Sequence, residues 1–199
     1  MAKITDVKAN LRRHSLERRD LISPKEAHEA AALVCARALA IIDEIAGGAP
    51  LAGLPISVYW PIRSELNTRP LIEALHRQGA AVALPVMSAV RCPLVFRAFN
   101  PDEDELVKGP FGLSEPDAEK PELSPQIVFS PLAAFDRCGV RLGYGGGIYD
   151  ATLEKLRRRR PVAAIGLAFA LQEAEAVPFE PHDQRLDYIL TERETIACA

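Results

Sequence analysis

Cysteine is sparse in this sequence, and its spacing excludes two classes of protein. Cys35, Cys92, Cys138 and Cys198 lie far apart, with no Cys-x-x-Cys pair. Structural zinc sites need closely spaced cysteine and histidine ligands, so His182, which has no such partner nearby, does not indicate one. Small disulfide scaffolds are excluded because they are dense in cysteine. The pattern favours reduced thiols in a cytoplasmic protein.

Long apolar runs and an excess of either charge are also missing. No stretch approaches the ~20 apolar residues that span a bilayer, and residues 1–6 lack the apolar run of a signal peptide. The 24 Lys and Arg against 27 Asp and Glu give a net charge of -3. Because basic groups are not in excess, nothing predicts attraction to nucleic acid or to membranes.

The composition that remains is that of an ordinary globular protein. Of the 199 residues, 48% are hydrophobic and 26% are charged, which allows a sizeable core. The length fits one domain, residues 1–199. Neither an internal repeat nor a low-complexity segment divides the chain.

Helix and strand signals alternate along the chain. Ser23, Pro24 and Glu26 form a capping box with proline at the first helical position, and Gly47 and Gly48 end that helix. A strand at 56–60, a helix at 70–78 and a strand at 81–86 follow with short connections. Such a β-α-β unit favours a parallel sheet.

Other segments extend the pattern. We predict helices at 7–18, capped by Thr5 or Asp6, and at 149–159, strands at 94–99, 127–130, 162–168 and 187–191, and a long functional or mobile loop at 100–125. The fold class is therefore α/β. We expect a three-layer α/β/α arrangement around a twisted, mostly parallel, Rossmann-like sheet.

A glycine-rich loop carries the clearest chemical signal. Gly143, Gly145, Gly146 and Gly147 follow Arg141 and precede Asp150. The loop is neither a P-loop nor GxGxxG. Exposed N–H groups in such a loop, before a helix N-terminus, bind anions. We interpret it as a phosphate site with Asp150 as a Mg²⁺ ligand; a flexible turn, with Asp150 complementing the helix dipole, is the alternative.

Other polar residues have a functional and a simpler interpretation. Lys8 and Arg12 share a helix face and could clamp phosphates, or could form a solvated basic face. Asp183 and Asp187 are candidate ligands, or surface charges on a capped turn. The basic run at 157–160 is interpreted as offsetting a helix dipole.

An aromatic residue and a carboxylate follow the first predicted strand. Trp60 and Glu65 could hold a flat heterocycle, by stacking and by accepting hydrogen bonds from its N–H groups. The alternative is that Trp60 packs in the core and Glu65 lies at the surface.

Taken in order, these segments resemble a known family. They are KANLR (8–12), ELNT (65–68), GPFGLSEP (109–116), SPLAAFD (130–136), the loop from Arg141 to Asp150, PHD (181–183) and LD (186–187). Together they resemble the 5-formyltetrahydrofolate cyclo-ligases, also called methenyltetrahydrofolate synthetases, over nearly the full length.

The resemblance implies an activity. ATP would phosphorylate the formyl oxygen of 5-formyltetrahydrofolate, N10 would attack the activated carbon, and 5,10-methenyltetrahydrofolate, ADP and phosphate would form. Mg²⁺ would be the cofactor, the partners would be small molecules, and the protein would be a monomer. The loop at 109–116 would close over the site and exclude water.

The resemblance also implies roles for particular residues. ATP would be bound by Lys8, Arg12, Arg141, Gly143, Tyr144, Gly145, Gly146, Gly147, Ile148 and Tyr149. Arg141 and Tyr149 would be catalytic, and Asp150 and Asp187 would bind the metal. The folate would contact Trp60, Glu65, Tyr144 and Ile148.

One departure from the family pattern leaves alternatives open. The family usually has Tyr-Tyr-Asp after the glycines, whereas this chain has Ile148, Tyr149 and Asp150; Ala151 also replaces a frequent arginine. A paralogue of weak activity that binds nucleotide or folate is one alternative. An ATP-dependent enzyme acting on another amide-like compound is the other, because a fold does not determine a function.

Overall fold

An eight-stranded sheet forms the centre of the fold. The structure is a computed structural model and describes residues 3–198; Met1, Ala2 and Ala199, the ends of the predicted domain, lie outside the described residues. The sheet contains β1 (Pro55–Ser57), β2 (Ala81–Val86), β3 (Val95–Ala98), β6 (Glu122–Leu123), β7 (Ile127–Pro131), β10 (Ala163–Leu167), β11 (Tyr188–Leu190) and β12 (Thr195–Ala197). Two further pairs are β4 (Val107–Lys108) with β5 (Ser114–Glu115), and β8 (Ala134–Phe135) with β9 (Arg141–Leu142).

Strand order confirms the predicted α/β class. The order is β12-β11-β10-β7-β1-β2-β3-β6. The five central strands, from β11 to β2, pair in parallel, whereas β12, β3 and β6 pair antiparallel at the edges. The middle of the sheet is therefore the parallel, mostly apolar part that the sequence predicted.

Helices cover both faces of this sheet. The helices of the fold are α1 (Ile4–Arg19), α2 (Pro24–Ala46), α3 (Arg69–Arg77) and α4 (Ile148–Arg157), with a 3₁₀ turn at Ala170–Gln172. Along β7, Ile127 and Phe129 belong to the core with α2 and α3, whereas Val128 packs with α4. Because neighbouring strand residues face opposite sides, α2 and α3 lie on one face and α4 on the other, in three layers.

The local signals at α2 are confirmed, but those at α1 are not. The Ser23 side chain and Glu26 form the capping box, and Gly47 ends α2 with φ of 63°. Helix α1 instead begins at Ile4, without a side-chain cap from Thr5 or Asp6. The first residues of α1 are exposed, and later parts of the helix lie against β8 and the 3₁₀ turn.

Three short strands replace part of the loop predicted at 100–125. They are β4, β5 and β6, of two residues each. The strand predicted at 187–191 is confirmed as β11, whereas β8, β9 and β12 escaped prediction because two- and three-residue strands have too little periodicity to be recognised. The β4–β5 hairpin matters for function because it reaches the site described next.

Candidate active site

A cavity of about 200 Å³ opens at the carboxyl ends of β1, β2 and β7. Ligands commonly bind at this edge of open α/β sheets. The predicted glycine loop, the turn that carries Glu65 and the β4–β5 hairpin all contribute to its wall. The structure thus brings segments that are far apart in the sequence into one site.

The glycine loop runs from β9 into the N-terminus of α4. Gly145 and Gly147 have φ of 98° and 63°, a region in which residues with a Cβ are strained. Gly147 is the N-cap residue of α4, and as a glycine it has no side chain that could accept hydrogen bonds from the first turn. The first N–H groups of α4 are therefore available to an anion at this point.

Arg12 connects α1 to the glycine loop through a hydrogen bond. Its Nε donates to the Gly143 carbonyl oxygen over 2.7 Å. A Cβ placed on Gly145 would lie 3.6 Å from the Arg12 guanidinium carbon. The cation and the loop backbone therefore present their N–H groups to the same region.

Lys8 lies one turn earlier on α1 and contacts two carboxylates. Its Nζ is 2.7 Å from Asp183 Oδ2 and 2.8 Å from Glu180 Oε2. Burial works to lower the pKa of Lys8, but the hydrogen bonds to Asp183 and Glu180 outweigh it and raise this pKa. Lys8 is therefore a fixed cation beside the site.

Arg141 and Asp150 form a buried ion pair in the cavity wall. Both Nη atoms of Arg141 donate to Asp150 Oδ1, over 3.2 and 3.0 Å. Arg141 Nε is buried and has no hydrogen-bond partner within residues 3–198. Burial lowers the pKa of Arg141, and a cation in the cavity wall fits an anionic ligand.

Asp150 and Asp187, the two predicted metal ligands, do not lie together in the structure. Asp187 Oδ2 accepts from Arg157 over 2.9 Å and from the Ala164 N–H over 2.7 Å. Helix α4 rises by about 10 Å between Asp150 and Arg157, which places Asp187 at the amino edge of the sheet. Its bond to Ala164, at the start of β10, holds it there, away from the cavity.

The turn before Asp187, rather than Asp187 itself, packs against Asp150. The N–H of Gln184 donates to Asp150 Oδ1 over 2.9 Å, so the turn that carries Asp183 lies against Asp150. All hydrogen bonds to Asp150 from the described residues use Oδ1. Within residues 3–198 no group of three or more His, Cys, Asp and Glu side chains is arranged around a metal position. Mg²⁺ needs only one or two carboxylates when phosphate and water complete its shell.

On the other side of the cavity, Glu65 is buried in a hydrogen-bond network. Its Oε1 accepts from the Tyr144 hydroxyl, and its Oε2 accepts from the Ile62 N–H over 2.9 Å. Arg19 Nη1 donates to the Tyr144 oxygen over 2.8 Å. Burial raises the pKa of Glu65, and these hydrogen bonds and the charge of Arg19 oppose the rise.

Aromatic and apolar side chains complete the cavity wall. Trp60 packs edge-on against Phe99, with ring centroids 5.9 Å apart. Burial raises the pKa of Tyr149, so its phenol stays neutral. Ile148 lines the cavity and also packs against the core around α4. In place of a second phenol after the glycines, this chain therefore has a side chain that anchors the loop.

The β4–β5 hairpin contributes residues to the cavity wall. Leu113, Ser114 and Glu115 line it. Glu115 is 3% exposed, and its Oε1 accepts from the Met87 N–H over 2.9 Å. This hydrogen bond ties the hairpin to the end of β2, so the hairpin forms one wall of the cavity.

Comparisons with known proteins decide the family. The sequence model of the 5-formyltetrahydrofolate cyclo-ligase family matches residues 4–192. The chain belongs to this family. It is similar to a 5-formyltetrahydrofolate cyclo-ligase of Haemophilus influenzae, 36% identical over 140 residues that cover 68% of this chain and 74% of the relative. One from Escherichia coli is 35% identical over 141 residues, 68% and 76% of the two chains.

A solved structure agrees on the fold. The NMR structure of Aquifex aeolicus 5,10-methenyltetrahydrofolate synthetase superposes with a TM-score of 0.74 and 24% identity, covering 96% of this chain and 92% of that one. This likeness supports the cyclo-ligase fold alone. Among residues 3–198, no helix combines the length and apolar character needed to traverse a bilayer.

In this member of the cyclo-ligase family, sequence reasoning missed Arg19 and Glu115 as site residues. Arg19 is 4% exposed although it lies in the basic last turn of α1. Such a position ordinarily indicates a cation offsetting the helix dipole. Its partner Tyr144 is 125 residues away in the chain, so no local pattern could identify the contact.

Replacing Arg19 with methionine is expected to weaken folate binding in this cyclo-ligase family member. The Tyr144 hydroxyl would lose its donor, and the pKa of Glu65 would rise further because the nearby cation is gone. We expect KM for 5-formyltetrahydrofolate to rise about tenfold and the acidic limb of the pH profile to move to higher pH. Steady-state kinetics across pH measure both. Arg18→Met, at an exposed arginine of the same turn, is the matched control; equal effects in both variants would contradict the assigned role.

Proposed function

We propose that this protein is a 5-formyltetrahydrofolate cyclo-ligase that uses ATP to form 5,10-methenyltetrahydrofolate, ADP and phosphate. The observation that supports this most is the placement of the phosphate-type loop and the Glu65 network on one cavity. An anion site and a site for a flat, N–H-bearing ring in the same cleft fit ATP and a reduced folate together.

The ATP side would consist of the glycine loop and three cations. Loop N–H groups, Arg12 and Lys8 would bind the phosphates, and Arg141, which lines the cavity, would add a positive charge beside them. Phosphoryl transfer depends mainly on in-line positioning and charge stabilisation. These fixed N–H groups and cations fit that requirement without a protein nucleophile.

Mg²⁺ would be held by Asp150 and Asp183. Asp150 accepts its hydrogen bonds through Oδ1, and Asp183 Oδ2 accepts from Lys8. Two carboxylates of adjoining segments, beside a phosphate site, fit the ligand preference of this cation. When bound, the metal would neutralise charge on the phosphate oxygens.

The folate side would consist of Glu65, Tyr144, Trp60 and Tyr149. The Glu65 carboxylate would accept hydrogen bonds from the pterin 2-amino group and the adjacent ring N–H. Trp60 would line the ring pocket, and the neutral phenol of Tyr149 would face the formyl group. Tyr144 would link the two halves, because its hydroxyl bonds Glu65 while its backbone belongs to the glycine loop.

The chemistry follows from this arrangement. The formyl oxygen is a poor leaving group, and the γ-phosphoryl group of ATP would convert it into a good one. N10 of the folate would attack the activated carbon and lose its proton, and the former formyl oxygen would depart with phosphate. The β4–β5 hairpin would exclude water, which otherwise competes for the activated carbon.

Product formation tests this proposal. Purified protein with ATP, Mg²⁺ and 5-formyltetrahydrofolate is expected to develop the near-UV absorbance of the methenyl product, and to develop none without ATP. ATP binding without product would instead support an accessory nucleotide-binding protein. ATP hydrolysis stimulated only by a different amide would support another substrate.

A carboxylate outside the cavity offers an internal comparison. We expect Asp187→Asn to leave kcat within about twofold, because its partners Arg157 and Ala164 lie at the amino edge of the sheet. The loss of this half-exposed ion pair should lower the free energy of unfolding by about 1 kcal/mol. Kinetics and chemical denaturation measure the two effects. A loss of Mg²⁺-dependent turnover would instead show that Asp187 is a metal ligand.

We further propose that residues 1–199 form a single domain that acts as a monomer in the cytoplasm on small-molecule substrates. The free cysteines, among them Cys35 and Cys198, support a reducing compartment.

A further inference from the structure

A second cavity adjoins the first one on the far side of Trp60. It is an open groove of about 410 Å³, and Trp60 and Ser114 line both cavities. The first cavity, of about 200 Å³, is smaller than the roughly 300–1,000 Å³ of pockets that bury a drug-sized ligand. A folate bound through its pterin end must therefore extend out of the first cavity, and the second begins where Trp60 and Ser114 end the first.

Arg69 is the cation of this second cavity. It is the first residue of α3, and its guanidinium carbon lies 4.6 Å from the centroid of the Trp60 ring. Phe99 holds the same indole edge-on from another direction. No guanidinium N–H of Arg69 donates to another residue between positions 3 and 198. Stacking therefore orients the planar fork while its donors remain available.

Two carboxylates also line this cavity, and neither pairs with Arg69. Asp104 is bound by Lys120 and accepts from the Asn100 N–H over 2.8 Å. Glu73 lies one turn along α3 with an exposed side chain. Lys120 thus compensates the charge of Asp104, and solvent screens the exposed carboxylate of Glu73, so Arg69 is the group oriented to bind an incoming anion.

We propose that Arg69, stacked on Trp60, binds a carboxylate of the glutamate end of 5-formyltetrahydrofolate. The proposal rests on the proposed function, since it assigns the far end of the same substrate. An arginine fork pairs with a carboxylate through two parallel hydrogen bonds. Ile72 and Leu106 supply an apolar wall for the aminobenzoyl part of the tail.

Kinetics with and without the glutamate test the contact. For Arg69→Gln we expect KM for 5-formyltetrahydrofolate to rise about tenfold, the effect of one charged hydrogen-bonding contact, with kcat unchanged. With 5-formyltetrahydropteroate, which lacks the glutamate, variant and wild type should have the same KM. Arg77→Gln, the same change at the other end of α3, is the control and should behave as wild type.

A binding measurement separates this proposal from the proposed function. Trp60 is the only tryptophan, so its emission reports directly on occupancy beside Arg69. p-Aminobenzoylglutamate should quench the Trp60 emission in both proteins, with a Kd that is about tenfold higher in Arg69→Gln than in the wild type. If the wild type shows no turnover but the difference in quenching is observed, the cyclo-ligase activity is overturned and the role of Arg69 in binding stands. Equal quenching in both proteins, or an equal rise in KM for both substrates, would overturn the role of Arg69.

Discussion

Replacing Asp150 with asparagine is expected to lower kcat on the order of 10²–10³-fold, the loss typical of removing one electrostatic contact to a transition state. Asparagine keeps an oxygen that can accept from Gln184 and Arg141, so the local hydrogen bonds survive. The substitution removes the negative charge, however, and this charge would hold Mg²⁺ beside Asp183. Steady-state turnover measured across a Mg²⁺ titration should show weaker activation by the metal.

Stability must be measured alongside, because Arg141 is buried at 3% side-chain exposure. Removing one partner of a buried ion pair can cost about 3–5 kcal/mol, so the variant has to be assayed below its unfolding transition. Asp187→Asn provides the matched comparison, since it makes the same change at a carboxylate that pairs with Arg157, the last residue of α4. Unchanged, Mg²⁺-dependent turnover in Asp150→Asn would show that this carboxylate only complements Arg141 and the helix dipole.

The second large effect is expected at Glu65. In Glu65→Gln, kcat/KM for 5-formyltetrahydrofolate should fall on the order of 10²-fold, because hydrogen bonds to a charged group are worth about 1.5–3 kcal/mol each. The glutamine amide would also place an N–H group where the pterin presents its own. Nucleotide affinity, measured by calorimetry without folate, should remain that of the wild type, since the phosphate contacts lie in the glycine loop.

The pH profile distinguishes a binding carboxylate from a merely structural one. Burial raises the pKa of Glu65 above its usual range. Activity that needs the ionised form is then lost as pH falls through this raised pKa, which places the acidic limb of the wild type above the range of an ordinary glutamate. Glutamine does not titrate, so the limb should disappear in the variant. If the acidic limb of the pH profile is unaltered in Glu65→Gln, a group other than Glu65 produces it.

The fold was predictable because several local signals agree. The Ser23 capping box, the stop at Gly47 and the alternation of apolar segments all indicated the same α/β arrangement, and the structure confirms it. What could not be predicted is which distant groups meet. The choice between Asp183 and Asp187 depends on the 180–184 turn packing against Asp150 and on Lys8, which lies 175 residues from Asp183.

The network around Glu65 shows the same limit. Arg19, Glu65 and Tyr144 come from three segments, and each has an unremarkable local context: a helix end, a turn and a glycine loop. Their contact arises only when α1 packs beside the carboxyl edge of the sheet. Burial then changes their chemistry, since it raises the pKa values of Glu65 and Tyr144.

The fate of the formyl oxygen tests the central claim most directly. If the cleft activates this oxygen with the γ-phosphoryl group of ATP, substrate labelled with oxygen-18 at the formyl group must transfer the label to phosphate. We predict one labelled phosphate for each methenyl product and each ADP, measured by phosphorus NMR or mass spectrometry. Methenyl product formed with the label in water, and none in phosphate, would contradict the account.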